Sequence, residues 1–207
     1  MGSCCSKNVR VSSVRINSED AVILKTKQEY QEERAKALGD STFELASING
    51  ISISTENIND FYEIDKKELG RGHFGVVYRA VWKKQREKEY AVKSIKKSKL
   101  KGDISGLRNE LSMLRNLDHP HIIQFYEIYQ DADRYYFVLE LCSGGDVTSR
   151  LMKEEKAFSE ARTKEVMFQA LLAINYLHGC GVIHRDIKPD NFLFHDSRPE
   201  INIKLTD

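Results

Sequence analysis

Eight consecutive residues near the end of the sequence, His184-Arg185-Asp186-Ile187-Lys188-Pro189-Asp190-Asn191, hold two acids, two bases, a proline and an asparagine, then run straight into the apolar Phe192-Leu193-Phe194. Charge crowded onto the lip of a core is costly to desolvate, so these groups need a polar task to repay their placement. A second chemistry-bearing group lies upstream, where Gly70, Gly72, Gly75 and Val77 spell G-x-G-x-x-G-x-V within Leu69 to Trp82. A dinucleotide-binding turn needs a helix to open at the last glycine, but β-branched and aromatic residues follow here. There is no G-K-[ST] ending either, which excludes a Walker A loop. What remains is a strand–turn–strand flap whose glycines, lacking Cβ atoms, let backbone N–H groups lie close over phosphates. Lys93, in Glu89-Tyr90-Ala91-Val92-Lys93, shares a face with Ala91 by strand alternation. It is either a solvated edge residue or a phosphate ligand.

The elements that must hold these groups follow from periodicity. Leu107, Leu111, Leu114 and Leu117 fall at helical spacing with Pro120 just beyond, so a helix is expected there, and Glu110 sits beside its buried stripe, placed to reach back to Lys93. The run from Arg134 to Val147 reads as a buried strand entering a Gly144-Gly145 turn. A helix of about twenty residues follows, with Ser159 and Arg162 near its start and a stop at Gly179–Gly181. Strands with one helix, a hinge, then helices imply two lobes with a cleft between them.

The whole chain has 207 residues, 41% hydrophobic and 30% charged, the profile of a globular domain with or without a tail. A net charge of +1 gives no bulk electrostatic signal for nucleic acid, so no nucleic-acid partner is expected. No apolar run approaches the roughly 20 residues of a membrane-spanning helix. Four cysteines without C-x-x-C spacing point to a reducing, intracellular setting rather than a disulfide framework. The opening Met-Gly-Ser-Cys-Cys-Ser-Lys-Asn fits the pattern for myristoylation of Gly2, with Cys4 and Cys5 as palmitoylation sites supplying the second anchor that stable membrane attachment requires. Residues 29–39 are good helix formers closed by Gly39. Residues 41–59 are rich in Ser, Thr and Asn and read as loop or solvated linker.

Taken together, the motifs between Phe61 and Asp207 resemble those of the eukaryotic protein kinases: the glycine loop, Ala91-Val92-Lys93, the helix Glu110, His184-Arg185-Asp186 with Lys188 and Asn191, and the final Asp207 occur in the family's order. The resemblance implies an α+β, two-lobed kinase fold, with a β-rich N-lobe (about 61–141) carrying one main helix, a hinge (about 140–146) and an incomplete helical C-lobe (147–207), preceded by an acylated, partly disordered extension (1–60). It implies that Leu69, Gly70, Gly72 and Gly75 cover ATP, that Lys93 binds its α- and β-phosphates and pairs with Glu110, and that Val77, Ala91 and Leu193 sandwich adenine. Leu139 takes the gatekeeper position, the backbone of Glu140 and Cys142 meets the adenine edge, and Asp146 contacts ribose and favours basic substrates. Asp186 accepts or orients the substrate hydroxyl proton, Lys188 steadies the γ-phosphate, and Asn191 with Asp207 holds Mg2+. His184 is expected to be structural and Arg185 to meet an activation segment.

The Ile187-Lys188-Pro189 spacer resembles serine/threonine kinases, and Leu139-Glu140-Leu141-Cys142 with Ile203-Lys204-Leu205-Thr206-Asp207 is most similar to the calcium-dependent kinases of plants and protists. That resemblance implies protein Ser/Thr substrates near basic residues, a cytoplasmic, membrane-associated location through the acylated N-terminus, and Ca2+ control through EF-hands, which this sequence does not contain. Because the sequence stops at Asp207, the 207-residue polypeptide alone is expected to be unstable or inactive, with Val166, Leu171 and Ile174 short of packing partners. The alternatives are a non-catalytic nucleotide-binding fragment or pseudokinase-like scaffold, and a membrane-anchored adaptor.

Overall fold

The computed structural model describes residues 45–48, 51–72, 75–100, 116–153 and 158–207. Gly2, Cys4, Cys5, the helix expected over 29–39, and Glu110 with most of its helix lie outside the described residues. Among the described residues seven strands form one sheet: β1 (Leu45–Ile48), β2 (Ile51–Ser54), β3 (Tyr62–Arg71), β4 (Gly75–Trp82), β5 (Gln85–Lys96), β6 (Phe125–Gln130) and β7 (Arg134–Glu140), in the order β1-β2-β6-β7-β5-β4-β3. A four-residue helix, α1 (Ile58–Phe61), leads into β3. All pairs are antiparallel except β2 with β6.

Alternation along β5 sorts its side chains to two cores, as a pleated strand must. Tyr90 and Val92 join Ile58, Tyr62, Ala80, Trp82, Tyr129 and Val138 on one face. Ile95 joins Ile53, Phe125, Ile128, Tyr135 and Phe137 on the other, where Leu139 also packs. Tyr62 meets Tyr90 edge-on with ring centroids 5.5 Å apart, the arrangement favoured by the aromatic quadrupole.

Ile53 marks a departure from the sequence reading. Residues 41–59 were expected to be loop, yet β1 and β2 pair in register from Leu45↔Ser54 to Ile48↔Ile51, and Ile53 and Ser54 are buried. The register leaves two residues between the strands, Asn49-Gly50, a dipeptide suited to a tight hairpin. Its flanking alternation is hidden by Ser and Thr content.

The second unit is built on α2 (Val147–Lys153), α3 (Glu160–Gly179) and the hairpin of β8 (Phe192–Phe194) with β9 (Ile203–Leu205). Ser159 caps α3, its side chain accepting from the Arg162 N–H at 3.3 Å. At the other end Gly181 takes φ +74° while Val182 donates back to the Leu177 carbonyl at 2.9 Å, a Schellman-type stop. Val166, Ala170, Ala173 and Leu177 lie three or four apart and bury one stripe against Phe192, Phe194, Ile203 and Leu205. Gln169, on the same stripe, clamps β9 by donating to the Ile201 carbonyl (2.6 Å) and accepting from the Ile203 N–H (2.9 Å). This phase corrects one expectation: Val166 is in the core and Ile174 packs against it, whereas Leu171 faces outward with Met167 and Phe168.

Candidate active site

The β3–β4 hairpin carries the glycine motif, and the Gly72 N–H donates to the Gly75 carbonyl at 3.0 Å. The three glycines are there for different reasons. A Cβ on Gly75 would run into the Ser94 carbonyl oxygen, so the approach of β4 to β5 demands glycine. A Cβ on Gly70 or Gly72 would meet nothing within 4 Å, and both residues are exposed. Nothing in the fold requires glycine there, which leaves open space on the side where a ligand backbone or phosphate would approach. Leu69 is also exposed, while Val77 is half-buried and Ala91 buried.

Lys93 sits in the second half of β5, opposite Val77 on one side and Phe137 on the other. Its ammonium group forms an ion pair with the Asp207 carboxylate, joining the sheet to the last residue after β9. Leu139 lies opposite Ala91 and Phe125 and half-buries at the back of the same face. Beyond it the chain leaves the sheet. The Glu140 N–H donates to the Gln124 carbonyl at 2.9 Å, and the Glu140 carboxylate accepts from the Gln124 N–H at 3.1 Å and from Lys204 Nζ at 2.7 Å. Neither the N–H nor the carbonyl of Cys142 bonds another described residue, leaving a donor and an acceptor at this edge. The Cys142 thiol, pushed up to about 12 chiefly by burial and further by Glu140, is no nucleophile at neutral pH.

Gly144 and Gly145 let the chain turn here: a Cβ on Gly144 would collide with the Asp196 carbonyl oxygen, and Gly145 has φ +78°. Asp146, expected at the ribose, is committed in this structure to capping α2. Its carboxylate accepts from the Ser149 N–H (2.7 Å) and Oγ–H (2.6 Å). Partial burial pushes its pKa up, but the bonds from Ser149 outweigh this and leave it below the usual carboxylate range.

The crowded loop of residues 184–191 projects its charges outward while its backbone is tied inward. His184 Nδ1 accepts from the Asp186 N–H at 3.3 Å, which leaves the proton on Nε2 to donate to the Thr206 carbonyl at 3.0 Å. The Thr206 N–H in turn donates to the Asn191 carbonyl at 2.9 Å. His184 is therefore a strut between this loop and the residue before Asp207, the structural part expected of it. Arg185 and Asp207 are the two described non-glycine residues with positive φ, 69° and 59°, and strain of this kind is tolerated where geometry has a use. Lys188 Nζ lies 2.8 Å from Asp186 Oδ2, and Asn191 Nδ2 donates to the same oxygen at 2.9 Å and to the Asp186 carbonyl at 2.7 Å. The bond from Lys188, then that from Asn191, holds the Asp186 carboxyl below its ordinary range. The same contact raises the Lys188 pKa.

Asn191 is buried in a 3-10 turn (Pro189–Asn191) at the root of β8, its amide nitrogen spent on Asp186 and its side-chain oxygen without a partner among the described residues. That oxygen and the Asp207 carboxylate are hard donors, too few for a closed cage. Among the described residues no three His, Cys, Asp or Glu side chains group to hold a metal. Such a set fits Mg2+, which binds through one or two side chains and completes its shell with phosphate and water oxygens. Leu193 sits in β8, opposite Lys204 and bridged to Asp146. A separate groove of about 970 Å³, lined by Arg150, Lys153, Arg162 and Arg198 among others, shares only Gly144 and Ser143 with this region and carries none of its reactive groups. The residue that sequence reasoning passed over is Lys204, whose signal was a lone lysine inside the apolar Ile203-Lys204-Leu205.

Three comparisons bear on this arrangement. A family model described as the protein kinase domain matches residues 62–207. Calcium-dependent protein kinase 3 of Plasmodium yoelii yoelii is 39% identical over 153 residues, which are 74% of this chain and 28% of that protein. CDPK-related kinase 1 of Arabidopsis thaliana is 42% identical over 151 residues, 70% of this chain and 26% of that one. The chain thus spans little more than a quarter of the length of these relatives. Among solved structures, Rad53 1-466 in complex with AMP-PNP superposes with a TM-score of 0.68 at 37% identity, over 72% of this chain and 39% of that chain.

Proposed function

The chain belongs to the protein kinase family, and from that premise we propose that it forms the nucleotide-binding portion of a serine/threonine kinase, one that transfers the γ-phosphate of Mg-ATP to protein hydroxyls. The observation that carries the reading is a convergence. Lys93 from the sheet meets Asp207 from the end of β9, and Thr206 ties that residue through His184 and Asn191 to the loop bearing Asp186 and Lys188.

On this reading the flap at Gly70 and Gly72 lays its backbone over the phosphates, and Lys93 holds the α- and β-phosphates with Glu110 as its partner. Adenine lies between Val77 and Ala91 above and Leu193 below, with Leu139 behind it. The Glu140 N–H is already bonded to Gln124, so the Glu140 carbonyl and the Cys142 backbone are what remain for the base. Asn191 and Asp207 would hold magnesium, which when bound supplies charge neutralisation for the phosphate oxygens. Asp186, kept ionised by Lys188 and Asn191, orients the attacking hydroxyl and receives its proton. Lys188 turns from Asp186 to the transferring phosphoryl group. Phosphoryl transfer asks for positioning and neutralisation more than covalent help, and these groups provide both.

The likeness to relatives named as calcium-dependent kinases supports calcium control of the whole protein through segments outside this chain. Acylation of Gly2, Cys4 and Cys5 would bring it to a membrane surface. A preference for basic residues near the target hydroxyl would act through Asp146, a carboxylate already accepting two hydrogen bonds from Ser149. Calorimetry on the full-length protein tests the core of the reading: Mg-ATP should bind, and Lys93→Met should abolish phosphotransfer to a Ser/Thr substrate. Absence of Mg-ATP binding by the unaltered protein would overturn it.

A further inference from the structure

We propose that Glu140 and Lys204 form a buried positioning pair that fixes the base-binding edge of the hinge relative to β9, and so relative to Leu193 and Asp207. The proposal rests on the nucleotide-binding reading above and deepens it.

Lys204 is the middle residue of a three-residue strand whose two neighbours, Ile203 and Leu205, are core residues. Its ammonium group lies 2.7 Å from Glu140 Oε1, with the two side chains only 8% and 14% exposed. A buried ion pair of this kind adds little stability over an apolar pair of the same volume, because both charges must be stripped of water. What it adds is register: the two groups satisfy each other only when their backbones hold one offset. Here those backbones are the two that matter for a bound nucleotide.

On the hinge side, Glu140 is clamped twice to Gln124, by its own N–H donating to the Gln124 carbonyl at 2.9 Å and by its Oε2 accepting from the Gln124 N–H at 3.1 Å. The pull of Lys204 on Oε1 is therefore transmitted to a fixed main chain, two residues before the open donor and acceptor of Cys142. On the other side, Lys204 stands opposite Leu193 in the β8–β9 ladder and three residues before Asp207. His195 Nε2, 3.6 Å from Glu140 Oε1, and Asp196, 3.1 Å from His195 Nδ1, extend the same polar line beneath the hinge. One ion pair thus sets the spacing between the edge of the base site, its floor and its metal-binding end. Lys204 and Glu140 act here through other groups: the Lys204 side chain touches no reacting atom, and Glu140 offers the base only its backbone.

The test uses the full-length protein and two probes that report on different ends of the site, adenosine and magnesium tripolyphosphate. Replacing both partners by neutral residues of similar shape, Glu140→Gln with Lys204→Met, removes the register constraint without leaving a buried charge. Adenosine affinity should fall on the order of tenfold, as lost preorganisation implies, while tripolyphosphate affinity changes much less. Lys204→Arg, which keeps the charge, should restore most of the adenosine affinity relative to Lys204→Met. Should the double variant bind adenosine as tightly as the unaltered protein, the pair is merely structural and the proposal fails. An equal loss for both probes overturns it too, since that reports general damage. Were the unaltered protein to bind neither probe, the nucleotide-binding reading itself would fall, and this inference with it.

Discussion

Two lysine–carboxylate pairs of almost equal length sit at opposite extremes of exposure. Lys188 and Asp186 are 2.8 Å apart with side chains 47% and 56% exposed, whereas Lys204 and Glu140 are 2.7 Å apart and 8% and 14% exposed. In water-accessible surroundings an ion pair is worth little and exchanges partners readily. The first pair can therefore give up its mutual contact when a phosphate or hydroxyl arrives. The second cannot, since either partner left alone would be a charge stranded in the core. On the proposed function, chemistry is placed where charge is cheap to rearrange, and geometry is set where it is expensive.

That contrast can be broken at several points, beginning with the reacting group itself. In the full-length kinase, Asp186→Asn should lower kcat on the order of 10²–10⁴-fold in a phosphotransfer assay while the calorimetric affinity for Mg-ATP stays nearly unchanged. A parallel loss of both would mean that Asp186 serves binding and not turnover. Next in size is the single change Lys204→Met, which leaves Glu140 buried and unpaired and should destabilise the fold by about 3–5 kcal/mol, read by chemical denaturation. The matching change in the exposed pair, Lys188→Met, should leave the denaturation midpoint where it was and reduce turnover instead. If the two lysines proved equally costly to stability, burial would not be what separates them.

The glycine flap repeats the contrast on a smaller scale. Gly75→Ala forces a methyl group against the Ser94 carbonyl and should destabilise by about 1–3 kcal/mol, as overpacking does. Gly72→Ala has open space and should spare stability, with any loss confined to nucleotide affinity. The smallest expected effect is on pH dependence. The Asp186 carboxyl is held below its ordinary range, first by Lys188 and then by Asn191, so it stays ionised as pH falls through the usual carboxylate window. The acid limb of the kcat profile should therefore lie below that window and move upward in Lys188→Met. An unmoved limb would show that Lys188 does not tune Asp186.

Much of this was legible before any coordinates because the groups concerned are marked by local chemistry. The start of α3 at Ser159 and its glycine stop follow from capping rules, and the flap follows from glycines between β-branched runs. The features that escaped depend on partners far along the chain. Lys204 finds Glu140 64 positions away in the sequence, and a lysine in a strand reads as solvated until its partner is known. The phase of α3, which buries Val166 and exposes Leu171, is chosen by where the β8–β9 hairpin lies, not by the helix alone. The capping part of Asp146 went unread for a different reason: an aspartate three residues before a serine fits both a ligand and a helix cap, and the cap shows only once α2 is seen to start there. The β1–β2 strands went unread because short Ser-rich alternation resembles linker, although Asn49-Gly50 was the available clue.

The added β1–β2 hairpin also changes what the sheet offers to other polypeptides. Among the described residues, β2 meets β6 at Ser54↔Tyr129, and the outermost strand on this side is β1, only four residues long. The opposite border, β3, runs ten residues but carries Asp65, Lys66, Lys67 and Glu68 exposed in succession. A short template on one side and a charged one on the other both discourage strand-by-strand self-association.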